Sequence, residues 1–193
     1  MVVTSVAEAG SGGGRHVLSL VKGVGESGRR VVAVCFEPGT LSQALRDEGV
    51  AVRVVPCRWA LDPTTFLRLR RLILFYWPVV VHTHGERATF VGSWCAALVG
   101  VPRVIATVHR SIARTMNWSR LRRGIYQAVE SWTLRRATTH IIAVSGAMRD
   151  DLVGRGVPPG TISVIHNGFE HLPANLEKAV RERAREIRRN LGI

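Results

Sequence analysis

Short, continuously apolar segments alternate along the chain with longer segments in which apolar residues recur every three or four positions. The first pattern predicts β-strands that are covered on both faces, and the second predicts amphipathic helices. Strands are predicted at residues 2–6, 31–36, 51–55, 79–83, 104–108, 140–144 and 162–165. Because helical segments separate these strands, the sequence predicts an α/β fold, a Rossmann-like doubly wound parallel sheet of about seven strands.

The helical segments differ in how polar they are. One apolar stripe follows a cluster of glycines near the N-terminus. Another stripe runs through an arginine-rich segment and consists of Leu121, Ile125, Val129 and Trp132. The last segment, residues 173–193, carries an apolar stripe on an otherwise charged sequence. We therefore expect one domain of residues 1–172, followed by a charged helix.

The charge of the chain adds a possible partner to this picture. The 193 residues include 27 basic and 14 acidic side chains, for a formal net charge of +13. Seven arginines lie within residues 110–136, against the single acid Glu130. Such a segment can attract nucleic acid, an anionic membrane surface or a phosphorylated substrate. We expect no nucleic-acid partner, because the sequence has no helix-turn-helix, zinc-finger or ribonucleoprotein motif.

The remaining composition predicts a cytoplasmic protein. No apolar run is long enough to span a bilayer, and the N-terminus lacks the pattern of a secretory signal. The three cysteines, Cys35, Cys57 and Cys95, are widely spaced. This spacing favours small core residues in a reducing compartment over a disulfide framework or a structural zinc site.

Doubly wound sheets bind ligands beyond the carboxyl ends of their strands, near the switch in strand order. The first loop at such an end is rich in glycine, with Gly12, Gly13 and Gly14 directly before Arg15 and His16. Glycines at a helix N-terminus let a phosphate or a sugar approach the backbone N–H groups. The spacing matches neither a P-loop nor G-x-G-x-x-G, so a flexible tight turn is the alternative.

Histidines mark two further strand ends. His82 and His84 stand two residues apart on the fourth strand and should point the same way, which is compatible with a metal site. No third ligand is evident nearby, so we favour a polar strand end with one histidine near the cleft, beside Gly85 and Glu86. His109 directly follows the fifth strand and should point into the cleft, where its imidazole can donate a hydrogen bond.

Two later strand ends give weaker signals. Ser145 follows the sixth strand, where its side chain should cap the next helix. Asn167 and Gly168 follow the seventh strand, and this pair favours a tight turn with positive φ.

Five stretches, in this order, resemble the N-terminal domain of the family 4 retaining glycosyltransferases, which have the GT-B fold. They are the glycine loop with Arg15-His16-Val17, VVHTHGERATF at 80–90, the strand that ends at His109, HIIAVSGAMRDDL at 140–152 and ISVIHNGFE at 162–170. The likeness covers nearly the whole chain, and five stretches in the family order are a specific signal. One departure is Ser11-Gly12, which stands where the family usually has two adjacent glycines.

The resemblance implies roles for these residues. His109 corresponds to the catalytic-cleft histidine that contacts the transferred sugar, and the loop of Gly12, Gly13, Gly14, Arg15 and His16 approaches the donor diphosphate and the acceptor. The other cleft residues are expected to be His84, Gly85, Glu86, Ser145, Asn167 and Gly168. The family transfers a sugar from a nucleotide-sugar to a glycan or lipid-linked acceptor. It uses no prosthetic group and needs no bound metal, so no metal ligands are assigned.

The resemblance also implies a missing part. Residues 173–193 lead toward a C-terminal nucleotide-sugar domain, either in cis or as a separate chain, and we expect this chain alone to be inactive. Its exposed face should favour a partner. The alternative is a non-catalytic acceptor- or partner-binding module of GT-B type. A sugar-nucleotide epimerase shares the fold as well, but epimerases carry acidic residues in the cleft, and none are identified in this sequence.

The arginine-rich segment fits this family as well. Many members act on lipid-linked acceptors at the cytoplasmic face of a membrane. A patch at a membrane surface or against an acidic acceptor is therefore expected, with a solvated helix face as the alternative. The patch consists of Arg114, Trp118, Arg120, Arg122 and Arg123.

Overall fold

A computed structural model describes residues 1–59, 62–109, 119–168 and 174–192, with only the backbone described for residues 174–179 and 191. The chain forms an α/β fold around one seven-stranded parallel sheet. Its strands are β1 (Val2–Thr4), β2 (Val32–Cys35), β3 (Ala51–Val54), β4 (Val80–His84), β5 (Arg103–Val108), β6 (His140–Ala143) and β7 (Ile162–Val164). All seven predicted strands are confirmed, with shifts at their ends of one or two residues.

Helices follow most of the strands. They are α1 (Gly12–Glu26), α2 (Thr40–Asp47), α3 (Pro63–Tyr76), α4 (Glu86–Val99), α5 (Arg120–Ala137), α6 (Gly146–Gly154) and α7 (Ala174–Leu191), with a short 3₁₀ turn at Pro159–Thr161. The last helix lies within the charged segment of residues 173–193, where the apolar stripe predicts one. The division of the chain into domains stays a prediction. No helix in the described ranges is long and apolar enough to cross a membrane.

The strand order is β3-β2-β1-β4-β5-β6-β7. The chain therefore builds the sheet in one direction from β1 to β3 and then in the other direction from β4 to β7, which makes the β1/β4 junction the switch in strand order. At this junction Thr4 is paired with His84, and His84 is paired on its other side with Thr107 of β5. A doubly wound sheet leaves its ligand crevice at such a junction.

Apolar side chains of the strands enter separate cores on the two faces of the sheet. Val3, Val34 and Val81 pack with residues of α3 and α4 on one face. Val2 and Ala33, at alternating positions, pack with residues of α1 and α2 on the other face. Because both faces are covered, central strands such as β1 and β2 are mostly apolar rather than alternating.

Helix α5 packs in an unexpected orientation. Its buried residues are Ser131, Thr133, Leu134 and Ala137, and the Thr133 hydroxyl oxygen accepts a hydrogen bond of 3.2 Å from the Trp94 indole of α4. The apolar stripe that predicts this helix lies outside instead, with exposed fractions of 75% for Leu121, 58% for Ile125, 42% for Val129 and 46% for Trp132. Periodicity correctly predicts the helix but does not show which of its faces the domain covers.

Candidate functional site

A cleft of about 610 Å³ opens at the carboxyl ends of β1, β4 and β5. It lies at the switch in strand order, where the fold predicts a ligand. Its lining is formed by the last residues of β5, by the loops and helix starts that follow β1, β4 and β5, by one residue of α5 and by one residue of the loop after β7. The lining residues are Ser5, Val6, Ala7, Glu8, Ser11, Gly12, Gly13, Gly85, Glu86, Thr89, Thr107, Val108, His109, Glu130 and Asn167.

The N-terminus of α1 forms one wall of the cleft. Ser11 caps this helix, because its hydroxyl oxygen accepts a hydrogen bond of 3.1 Å from the Gly14 N–H. The N–H groups of Gly12 and Gly13 belong to the first turn, whose donors have no partner within the helix, and both residues line the cleft. This wall can therefore donate hydrogen bonds to an anionic or hydroxyl-rich ligand.

The glycine segment is a close-packed helix start rather than a flexible turn. A Cβ atom at Gly14 would overlap the carbonyl oxygen of Glu8, so the backbone can approach this closely only at glycine. Arg15 is exposed and is not among the residues that line the cleft. Arg15 lies in the first turn of α1, where successive side chains point to different sides, and its place in the ligand loop stays a prediction.

The turn after β4 forms the opposite wall. Gly85 has φ of 83°, a left-handed conformation that side chains disfavour, and a Cβ atom there would overlap the hydroxyl oxygen of Ser5. This turn lets α4 begin directly after the strand and places Glu86 on the cleft wall. It also leaves His84 on the strand itself, one residue beyond the predicted strand end, where the side chain is fully buried.

Four imidazole rings gather behind the cleft. His16 of α1 has its ring centroid 5.3 Å from that of His84 and 4.9 Å from that of His109. The centroids of His84 and His109 are 6.0 Å apart, and those of His82 and His84 are 4.3 Å apart. His82 and His84 thus point the same way, as predicted. The convergence of His16 and His109 upon them follows from the adjacency of β1, β4 and β5.

These rings differ in their hydrogen bonding. The Nε2 atom of His82 lies 2.7 Å from the Thr107 hydroxyl oxygen. Both ring nitrogens of His84, and Nε2 of His109, are buried without a hydrogen-bond partner among the described residues. An unsatisfied buried polar group costs about 1–3 kcal/mol, so its presence beside a cleft indicates a functional rather than a stabilising role.

Burial keeps the histidine cluster uncharged near neutral pH. It lowers the pKa of His82 to about 3 and that of His109 to about 4, and the neighbouring histidines lower both further. Burial also lowers the pKa of His84 and of His16, although the nearby Asn167 side chain opposes the effect at His16. The cleft therefore presents neutral imidazoles, which can donate and accept hydrogen bonds, and not cations.

Glu130 is a cleft residue that the sequence analysis missed. Its carboxylate accepts a hydrogen bond of 2.5 Å from Arg155, which also forms an ion pair of 3.1 Å with Asp151. Burial raises the pKa of the Glu130 carboxyl, and the hydrogen bond from Arg155 works in the opposite direction. Its signal in the sequence is that it is the single acid among the arginines of residues 110–136.

The residues predicted to reach the cleft from the loops after β6 and β7 do not all lie there. Ser145 caps α6, since its hydroxyl accepts a hydrogen bond of 3.2 Å from Met148 N–H, but it does not line the cleft. Asn167 lines the cleft, as predicted. Gly168 is exposed and outside the lining, and its φ is not positive, so the predicted Asn-Gly turn is wrong.

The arginine patch is only partly described. Arg114 and Trp118 lie outside the described residues. Arg120 and Arg122 are exposed in the first turn of α5, and Arg123 is half-buried. They lie on the same helix as the exposed apolar stripe, so α5 presents apolar side chains bordered by arginines to its surroundings.

The parallel sheet, the switch in strand order and the cleft define a Rossmann-like ligand-binding domain. The sequence model of Glycosyltransferase Family 4 matches residues 10–171. The chain belongs to this family. It is 28% identical over 166 residues to the UDP-Gal:alpha-D-GlcNAc-diphosphoundecaprenol alpha-1,3-galactosyltransferase of Escherichia coli, a match that covers 81% of this chain and 42% of that protein.

Solved structures give the same fold. The HepE protein of Anabaena in complex with UDP superposes with a TM-score of 0.72 at 16% identity, covering 99% of this chain and 49% of that one. A glycosyltransferase from Rickettsia africae superposes with a TM-score of 0.63 at 21% identity, covering 95% of this chain and 49% of that one. The chain has the fold of an N-terminal-like domain of the GT-B glycosyltransferases, and it spans about half the length of these relatives.

Proposed function

We propose that this chain is the acceptor-binding half of a retaining glycosyltransferase that transfers a sugar from a nucleotide-sugar donor to a glycan or lipid-linked acceptor. The observation that carries the proposal is the cleft at the switch in strand order, with His109 at its base. In the reaction, the bond from the sugar C1 to the nucleotide diphosphate breaks. A bond to an acceptor hydroxyl oxygen forms with retained configuration, and the hydroxyl proton is released.

The polarity of the cleft suits a sugar better than a diphosphate. Three carboxylates line it, those of Glu8, Glu86 and Glu130, and the lining contributed by the described residues contains no lysine or arginine. Carboxylates accept hydrogen bonds from sugar hydroxyls and repel phosphate. The amide groups of Gly12 and Gly13 are the favourable place for phosphate here. The rest of the diphosphate charge requires basic groups from a second domain.

The relatives support a nucleotide-sugar donor and a lipid-linked acceptor. HepE of Anabaena is solved in complex with UDP, and the Escherichia coli relative is named for transfer from UDP-Gal to a diphosphoundecaprenol-linked sugar. This chain matches the first half of a two-domain architecture, so a C-terminal GT-B domain, in cis or as a separate chain, completes the enzyme in this proposal. Neither a metal nor a prosthetic group takes part in the proposed transfer.

The role of His109 follows from its position and its charge. It directly follows β5 and lines the cleft, while its Nε2 atom lacks a partner within the described protein. Because burial lowers its pKa to about 4, the imidazole is neutral at physiological pH. It therefore forms a hydrogen bond with the transferred sugar as that sugar develops positive charge, which an imidazolium would oppose.

The outer face of α5 is the proposed membrane-binding surface of the enzyme. Leu121, Ile125 and Trp132 provide exposed apolar area, and Arg120 and Arg122 lie beside them. An apolar stripe bordered by arginines suits the interface of an anionic bilayer, where a lipid-linked acceptor presents its head group. The protein is thus proposed to work in the cytoplasm as a peripheral protein of the inner membrane face.

The proposal is tested with His109→Ala in the protein that carries both domains. We expect kcat to fall roughly 100-fold or more, because the interaction is made with the reacting sugar, while the donor Kd changes little. UDP release measures the first and calorimetric titration with donor the second. His140→Gln, a change at the amino end of β6, is the matched control. Unchanged turnover in His109→Ala removes His109 from the mechanism, and acceptor binding without any transfer supports the non-catalytic module instead.

A further inference from the structure

The histidine cluster has the dimensions of a metal site. One ring nitrogen from each of His16, His84 and His109 lies within 4.8 Å of the other two. Three imidazole nitrogens bound to one Zn²⁺ are about 3.4 Å apart, because each Zn–N bond is about 2.0–2.1 Å long. Small rotations of the three rings, closing each separation by at most about 1.4 Å, would bring the nitrogens to coordinating distance.

His84 is the observation that points to a ligand. Its side chain is fully buried, and neither of its ring nitrogens has a hydrogen-bond partner among the described residues. Proteins seldom leave a buried polar side chain unsatisfied without an ion, a water or a function to explain it. His84 is packed against His82 on one side and faces His16 and His109, so its free nitrogen is directed at other potential ligands.

The elements that carry the three histidines favour a preformed site. His84 belongs to the central strand β4, His109 directly follows the adjacent strand β5, and His16 lies in the second turn of α1. Strands and helices hold ligands more rigidly than loops do. His82 does not need to coordinate, because its Nε2 atom is already paired with the Thr107 hydroxyl.

We propose that His16, His84 and His109 form a three-histidine site for a borderline-soft divalent cation, with Zn²⁺ as the representative ion. Three neutral imidazoles are a usual ligand set for such ions, and the fourth position is left to water or to a cleft ligand. His109 lines the cleft, so this open position faces the place where the sugar is proposed to bind. Occupancy would tie the ring of His109 to the metal and inhibit transfer reversibly. The regulatory role of the site thus rests on the proposed transfer, whereas the binding of the cation does not.

The site is tested by binding of Zn²⁺ alone to the metal-free, tag-free chain, without donor or acceptor. Competition with a chromophoric zinc indicator should show one equivalent bound with Kd in the micromolar range or below. His16→Gln should weaken binding at least tenfold, since removing even an outer partner of a metal ligand costs roughly 10–100-fold in affinity. His140→Gln, whose ring contacts Ser163 outside the cluster, should bind like the unaltered chain.

A second variant separates loss of the site from loss of the fold. His84→Gln removes the buried ligand, and its far-ultraviolet circular dichroism reports whether the chain is folded. His16 is only half-buried, so His16→Gln keeps the test decisive if His84→Gln does not fold. Binding that is equally tight in His16→Gln and the unaltered chain overturns the proposal, as does the absence of any binding below about 100 µM. Because neither readout involves sugar transfer, failure here leaves the glycosyltransferase proposal untouched.

Discussion

The cleft and the outer face of α5 reverse the ordinary distribution of side chains in opposite ways. Behind the cleft, polar rings are in the interior: His84 is fully buried, and its ring nitrogens have no partner in the described protein. On α5, large apolar side chains are outside, and Leu121 is 75% exposed. A folded chain gains free energy by the opposite arrangement, with apolar groups buried and polar groups paired or solvated.

The difference between the two regions concerns what each is missing. At the cleft, rigidly held ring nitrogens have no hydrogen-bonding partner among the described residues, which fits a small polar ligand or an ion. On α5, the apolar side chains of one face receive little cover from the described residues, which fits a large, non-specific surface such as a membrane interface. The two proposed ligands therefore differ: geometry would select the ligand of the cleft, whereas apolar area and charge would select that of the α5 face.

Acid should destabilise the cleft region strongly. Since burial lowers the pKa of His82 to about 3 and that of His109 to about 4, and also lowers those of His16 and His84, the folded protein binds fewer protons than the unfolded chain below about pH 6.5. Stability is therefore lost as the pH falls from 6.5 toward 4. Each group contributes up to about 1.4 kcal/mol per pH unit, so the free energy of unfolding should fall by several kcal/mol between pH 7 and pH 5.

Urea unfolding across this pH range measures the effect. Glu130 acts in the opposite direction, because burial raises its pKa, but it is one group against four. His109→Gln removes one titrating ring, so its stability should fall less steeply over the same range. A free energy of unfolding that is equal at pH 7 and pH 5 would show that the rings are protonated or solvated in the folded protein.

The buried and exposed faces of α5 can be compared by the same leucine-to-alanine substitution on each face. Leu134 is 1% exposed, so Leu134→Ala should lower the free energy of unfolding by about 2–5 kcal/mol. Leu121→Ala should change it by less than about 0.5 kcal/mol, but should reduce binding to anionic vesicles in a sedimentation assay. Leu67→Ala, at an exposed leucine of α3, is the control for vesicle binding. Equal losses of stability at Leu134 and Leu121 would mean that the α5 stripe is covered.

The strands could be predicted from the sequence because parallel strands are buried on both faces. A run such as residues 31–36 is continuously apolar wherever it lies in the sheet, so its pattern depends on burial alone. The position of His109 at the cleft follows equally from local order, since a residue that follows a parallel strand must lie at its carboxyl edge. These predictions required no knowledge of which strands are neighbours.

The histidine cluster and the face of α5 could not be predicted, because both depend on tertiary neighbours. His16 meets His84 and His109 only when β1, β4 and β5 are adjacent, and the order of strands is not encoded in any one segment. The stripe of α5 has the correct period for a helix, but the residues that the helix buries are Ser131, Thr133, Leu134 and Ala137. From the stripe, Trp132 contacts the Trp94 ring of α4 and still stays 46% exposed. The glycine loop was predicted as a ligand wall, yet the exposure of Arg15 depends on where α1 begins.

A glycine-to-alanine substitution can also be made in both regions, at Gly85 of the cleft and at Gly124 of α5. We expect smaller changes in the free energy of unfolding than for Leu134→Ala. Gly85→Ala should lower the free energy of unfolding by about 1–3 kcal/mol, because alanine disfavours φ of 83° and its Cβ would overlap the Ser5 hydroxyl. Gly124→Ala should instead raise it by about 0.5–1 kcal/mol, because Gly124 lies inside α5 with open space around its Cβ position. Chemical denaturation of both variants at pH 7 gives the two signs directly. A loss of stability in Gly124→Ala would reveal a close neighbour at a position of α5 that we treat as open. Unchanged stability in Gly85→Ala would mean that the turn at the cleft wall relaxes without displacing Ser5.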